Sequence, residues 1–261
     1  MKYKKLIAAN WKQNGNYKVL SKLVDGIIKK QKLLKIRNDI LLLPPSIYLN
    51  LIYDKLKKFK SNKNIFLGIQ NISPYEEGAY TGEISINMAN DFKCSYALIG
   101  HSERRHIFKE DNDIIAMKVY QSLKARKKTI ICVGETLKEY NKKLTKQVIQ
   151  KQIKTAFSKS LNLIKNNKKN IIIAYEPVWA IGSGKSASID DIEAVHKFIR
   201  MQINKIMNDK SKLVKIIYGG SVNPKNTSSI LNILNVDGVL VGGASLNLKK
   251  FIDICCTIWD K

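Results

Sequence analysis

Glu176 stands directly after an unbroken apolar run, Ile171-Ile172-Ile173-Ala174-Tyr175, and before Pro177-Val178-Trp179. A carboxylate carried out of a buried strand in this way is placed to act as a general base, although a helix cap or surface acid would share its local sequence. His101 follows the run Tyr96 to Ile99 and Gly100, where it is either a catalytic imidazole or a satisfied histidine at a helix start. Lys12 follows Leu6 to Ala9 and Asn10-Trp11, and as one of many lysines it says little alone. Three glycine-rich turns, Gly182-Ser183-Gly184, Gly219-Gly220-Ser221 and Gly242-Gly243, offer backbone N–H groups that an anion can approach closely. Taken together the turns imply a phosphorylated ligand. Gly182-Ser183-Gly184-Lys185-Ser186 looks like the end of a nucleotide-binding P-loop, but the glycine that motif needs five residues earlier is Trp179, which excludes it.

These residues must be positioned by the elements they follow. Eight short apolar runs recur along the chain: Leu6 to Ala9, Ile40 to Leu43, Ile65 to Ile69, Tyr96 to Ile99, Thr129 to Val133, Ile171 to Tyr175, Val214 to Tyr218 and Gly238 to Val241. Between them, Val19 to Leu34, Ile114 to Ala125, Leu144 to Ile164 and Ile192 to Met207 carry apolar residues at helical spacing. Eight strand-helix units without a linker or composition shift predict an α/β fold, a single-domain (β/α)8 barrel over residues 1–261 with its active site at the C-terminal ends of the strands. A doubly wound open sheet would use the same alternation, but the turn Asn10 to Tyr17 lacks G-x-G-x-x-G.

With 261 residues, 44% hydrophobic and 26% charged, the chain has ordinary globular proportions, and no apolar run is long enough to span a membrane. The formal charge of +25 is less ordinary. Such a field attracts nucleic acid, anionic membranes or anionic substrates. The excess lysines lie in Lys- and Asn-rich stretches spread along the chain, which favours compositional drift over a binding footprint, so neither a specific nucleic acid nor a membrane is expected as a partner. Cys94, Cys132, Cys255 and Cys256 make a poor disulfide framework, and Leu6 to Ala9 is too short for a signal segment, so the expected compartment is the reducing cytoplasm.

In order and spacing, five segments resemble the signatures of the triosephosphate isomerase family: Asn10-Trp11-Lys12, Gly100 to Arg105, Ala174 to Gly182, Tyr218 to Val222, and Val241 to Leu246. The resemblance spans the chain and implies interconversion of dihydroxyacetone phosphate and D-glyceraldehyde 3-phosphate through an enediolate. It implies Glu176 as the base, His101 as the electrophile, and Lys12 with Asn10 beside the developing oxyanion. Glu103 resembles the family's buried acid that positions Lys12. Gly182, Ser221, Gly242 and Gly243 would hold the phosphate, and the stretch from Pro177 to Ala187 would close as a lid latched by Tyr218 and Ser221.

The resemblance also implies a homodimer built through the loop from Gln70 to Glu83. Proton transfer of this kind needs no metal or organic cofactor, and His101, His106 and His196 show no zinc-ligand spacing. Departures from the family pattern are Gln13 for Met, Lys109 for Gly, and Ser183 and Ser186 for lid threonines. Another phosphate-binding barrel would explain the glycine turns but not Lys12, His101 and Glu176 together. A nucleic-acid-binding protein would explain the charge alone.

Overall fold

Each apolar run forms a strand: β1 (Leu6–Asn10), β2 (Asp39–Leu43), β3 (Ile65–Ile69), β4 (Tyr96–Ile99), β5 (Lys128–Val133), β6 (Ile171–Tyr175), β7 (Lys215–Tyr218) and β8 (Gly238–Val241). The structure, a computed structural model, describes residues 4–59, 64–181, 186–207 and 212–259, and leaves the Lys165 side chain undescribed. All strand pairs are parallel and neighbours in sequence are neighbours in the sheet, with β8 pairing to β1. Closure rules out the open sheet and makes this a (β/α)8 barrel.

The runs are continuously apolar because both strand faces are buried. Leu6, Ala8, Leu41, Leu43, Ile130, Cys132, Ile172, Ala174 and Ile217 fill the barrel interior, while Ile7, Ala9, Ile40, Leu42, Ile131 and Ile173 pack outward against the helices. Burying each leucine or isoleucine contributes about 1.5–3 kcal/mol relative to exposure. The two-residue period then decides what lies at each end. Continuing the inward series past Leu6 and Ala8 brings Asn10 to the C-terminal mouth, and continuing past Ile172 and Ala174 brings Glu176 there.

Around the barrel run α1 (Tyr17–Leu33), α2 (Leu49–Lys58), α3 (Ile86–Asp91), α4 (Ser102–His106), α5 (Asn112–Lys124), α6 (Leu137–Asn141), α7 (Thr145–Phe157), α8 (Leu161–Asn167), α9 (Ile189–Met207), α10 (Thr227–Asn232) and α11 (Leu248–Cys255). In α1, Leu20, Leu23, Val24, Ile27 and Ile28 make one buried stripe, and Asn16 caps its first turn by accepting from the Val19 amide at 2.9 Å. The segment Leu144 to Ile164, read as one helix, is two. Ser158, Lys159 and Ser160 turn the chain between α7 and α8, and the Ser158 hydroxyl bonds the Thr155 carbonyl at 2.8 Å. Periodicity could not show the break because α7 buries Ile149, Ile153 and Phe157 while α8 buries Ile164, so apolar residues continue through the turn.

Candidate active site

Lys12 is held in an unusual backbone state. Its φ of 49° lies in the left-handed region, which costs a residue with a side chain about 1–2 kcal/mol. Three bonds hold it. The Lys12 amide donates to Asn10 Oδ1 at 3.0 Å, its carbonyl accepts from Gln70 Nε2 at 3.0 Å, and its ammonium donates to Glu103 Oε1 at 2.6 Å. Gln70 also reaches the Leu43 carbonyl at 2.8 Å, tying this loop to β2.

His101 caps α4, its Nδ1 accepting from the Glu103 amide at 3.3 Å. An Nδ1 that accepts leaves the proton of a neutral ring on Nε2, and that nitrogen lies 3.3 Å from Glu176 Oε1. Both side chains are withdrawn from solvent. Glu176 Oε2 accepts from the Ser102 amide at 2.9 Å, at the first turn of α4, where the helix favours negative charge.

Two glycines make room for this carboxylate. A Cβ on Gly219 would come within 2.9 Å of Glu176 Cγ, and one on Gly134 would fall 1.8 Å from the Glu176 carbonyl oxygen. Beside β8, a Cβ on Gly242 would lie 3.7 Å from Lys12 Cε, while around Gly243 there is open space. The lysine stem therefore stands next to the β8 turn, whose Gly243 opens a short 3-10 helix to Leu246.

A cation, an imidazole donor and a carboxylate thus meet at the C-terminal mouth of the barrel, beside a glycine turn. A model of the triosephosphate isomerase family matches residues 5–258. The chain belongs to that family. Among its relatives, the triosephosphate isomerase of Legionella pneumophila (strain Lens) is 40% identical over 252 residues, covering 96% of this chain and 97% of the relative. That of Lawsonia intracellularis (strain PHE/MN1-00) is 41% identical over 249 residues, covering 95% and 96%. That of Francisella tularensis subsp. novicida (strain U112) is 39% identical over 250 residues, covering 96% and 95%.

Of the residues singled out from sequence, Asn10, Lys12, His101, Glu103 and Glu176 come together at the mouth, with Gly242 beside Lys12 and Gly243 next to it in the chain. Ser221 follows the neighbouring β7, half-buried, its carbonyl accepting from Asn226 Nδ2 at 3.0 Å. Gly182 and the lid tip from Gly182 to Lys185 lie outside the described residues. The family's buried acid is not buried here. The Glu103 side chain keeps 38% of its exposure, because in the single chain it lines an open cavity of about 710 Å³. That cavity runs from Asn10, Lys12 and His101 to Gln70, Gly82 and Glu83, beneath the β3 loop.

The family pattern also makes sense of Lys109, which stands where glycine is usual and has φ 57°. Tyr218 Oη accepts from the Ala187 amide at 3.4 Å. Beside Trp179, sequence reading missed Glu135. Its buried carboxylate accepts from Trp179 Nε1 at 2.9 Å and Tyr175 Oη at 3.2 Å, and burial raises its pKa. Also missed were Gly134, Gln70 as a brace, and Arg105, which donates to the Gly100 and Cys132 carbonyls at 2.9 Å and joins the loop carrying His101 to β5. A glycine directly after an apolar run, as in Val133-Gly134, was the one available signal of close backbone approach.

Proposed function

We propose that this chain carries out the family's reaction at this mouth, interconverting dihydroxyacetone phosphate and D-glyceraldehyde 3-phosphate, with Glu176 moving the proton between adjacent carbons. In this reading the Glu176 carboxylate leaves the Ser102 amide, takes the proton from one substrate carbon and returns it to the next. His101 Nε2–H donates to the oxygen that becomes negative, in the role a neutral histidine has in the family's established mechanism. The Lys12 ammonium and Asn10 amide stabilise the same charge, and Lys12 also faces the phosphate held by Gly243, Gly242, Ser221 and Gly182. The observation that carries the reading is the 3.3 Å approach of His101 Nε2 to Glu176 with the anchored Lys12 loop beside them. In a coupled assay the wild type interconverts the two triose phosphates. Glu176→Gln should fold and still bind a phosphate-bearing transition-state analogue, with kcat lower by about 10²- to 10⁴-fold. Near wild-type turnover in that variant would remove Glu176 from the mechanism.

The enzyme works as a homodimer in this reading. Support comes from the cavity beside Lys12 and from exposed Tyr75 and Tyr80, stacked at 4.1 Å on the loop from Gln70, with exposed Ile107 and Phe108 across the cavity. A second copy would fill the gap and cover these side chains. Sedimentation at rising concentration measures it: a monomer with full activity would exclude the dimer. Unpaired thiols at Cys94, Cys132, Cys255 and Cys256 suit a reducing compartment, which supports the cytoplasm as its location.

A further inference from the structure

A set of cations from separate parts of the sequence meets in space at the other end of the barrel. Six of the eight strands are approached past an exposed cation at their N-terminal ends: Lys4, Arg37, Lys93, Arg126, Lys169 and Lys212. Carboxylates at this end include Asp39, the first residue of β2 and 4.0 Å from the Lys4 ammonium, Asp237, 3.1 Å from Arg200, and exposed Asp91, the last residue of α3. The inward period adds Lys128 and Lys215, which precede Ile130 and Ile217. Lys128 stands over the rings of Phe66 and Tyr96 at 4.9 and 4.8 Å, and Lys215 donates to the Lys4 carbonyl at 3.2 Å. Helix C-termini at this end add their negative dipole ends, which accounts for some of the lysines but not for those lying in the loops.

Large apolar side chains are exposed on the same end, in one arc. Leu213 leads into β7, Leu234 into β8, Leu33 and Leu34 into β2, and Phe59 follows α2 towards β3. Ile258 lies between them, because Asn38 at the start of β2 bonds the Cys255 carbonyl at 2.9 Å and Lys5 stands 5.6 Å from the Trp259 ring. Ile258 is 77% exposed, Leu234 71% and Leu33 65%. Strands β7, β8, β1, β2 and β3 are consecutive in the closed barrel, so these side chains share one sector of its N-terminal end.

We propose that the N-terminal end of the barrel docks on the surface of an anionic lipid bilayer, leaving the catalytic mouth facing water. Cations alone would equally serve nucleic-acid phosphates, but those offer nothing to exposed leucines and isoleucine. A bilayer takes both: lysines meet the anionic headgroups while the aliphatic side chains enter the acyl boundary, and Trp259 suits the layer between. No helix among the described residues is long and apolar enough to cross a membrane, and surface docking requires none.

The test is co-sedimentation of the full chain with vesicles of phosphatidylcholine alone and of phosphatidylcholine with phosphatidylglycerol. Binding is expected to the anionic vesicles only, and to fade with salt. The double variant Leu234→Ser with Ile258→Ser should bind about tenfold more weakly, and Lys212→Glu with Lys169→Glu at least as much so, whereas Met201→Ser on the outer face of α9 should not change it. Isomerase activity should persist in the vesicle pellet, since the mouth lies at the opposite end. Equal binding to both vesicle types, unchanged binding of the Leu234/Ile258 variant, or activity lost on binding would each overturn the proposal. So would retention on a duplex oligonucleotide, at salt that strips the protein from vesicles, by wild type and the apolar double variant alike; that result would assign the face to nucleic acid.

Discussion

At the C-terminal end of β1 and β6 the inward period of the strands ends in Asn10 and Glu176; at the N-terminal end of β5 and β7 the same period begins with Lys128 and Lys215. The first end holds its mouth charges firmly. Lys12 is anchored by three bonds in a left-handed backbone state, and Glu176 sits between a helix amide and an imidazole. The second end gathers cations held by separate partners, Lys128 over the rings of Phe66 and Tyr96 and Lys215 on the Lys4 carbonyl. The contrast teaches that the barrel treats its two ends differently: side-chain geometry is enforced at the C-terminal mouth, while cations collect where the strands begin.

Removing the cation from the enforced end should have the largest effect. Lys12→Met is expected to lower kcat by about 10²- to 10³-fold and to raise KM as well, because one ammonium faces both the phosphate and the oxyanion. Its circular dichroism should be unchanged. A kcat/KM within a few-fold of wild type would mean that the anchoring of Lys12 serves the backbone alone.

Gly219→Ala probes the same end without touching a charge. Its methyl group would press on Glu176 Cγ at 2.9 Å, and a carboxylate displaced by a fraction of an ångström to an ångström should lower kcat by about 10- to 100-fold with KM little changed. If turnover survives, the carboxylate has more freedom than the packing indicates.

Stability rather than activity should register changes at the other end. His196 on α9 is buried, its Nδ1 3.0 Å from the Asn235 carbonyl, and its Nε2 has no partner among the described residues. Burial withholds water from its charged form and lowers its pKa from 6.5 to about 4. The unfolded chain therefore binds the extra proton between those values, so the stabilising share of the neutral ring is full above pH 6.5 and is lost as pH falls to about 4. The loss approaches about 3 kcal/mol. Urea unfolding across this range measures it, and His196→Asn should flatten the slope by that amount; an unchanged slope would assign acid sensitivity to carboxylates alone.

Salt should have the smallest effect. The net charge of +25 would be expected to steer a phosphate substrate, so that kcat/KM falls with ionic strength more than kcat does. Yet the gathered cations stand a strand length from the mouth, roughly 17 Å, which exceeds the Debye length of about 10 Å at 0.1 M. We expect less than about a threefold fall in kcat/KM above 0.1 M salt. A steep fall would show that the two ends are electrostatically coupled after all.

The amino-acid sequence by itself determined the parallel α/β pattern and which residues stand at the strand ends. Eight apolar runs buried on both faces call for a parallel sheet, open or closed, and residues directly after those runs, Asn10, Lys12, His101 and Glu176, must emerge at one end because strand direction is shared. Tertiary structure decided what depends on contacts between distant segments. Glu135 and Arg105 look like ordinary charged residues until Trp179, Tyr175 and the Cys132 carbonyl are brought to them. Gly134 and Gly219 read as turns until the Glu176 backbone and side chain occupy the space a Cβ would need. The cations at the strand starts read as dispersed along the chain, because they belong to different strands. Only closure of the sheet turns that repeated position into one charged face, since a closed barrel brings the starts of all its strands together.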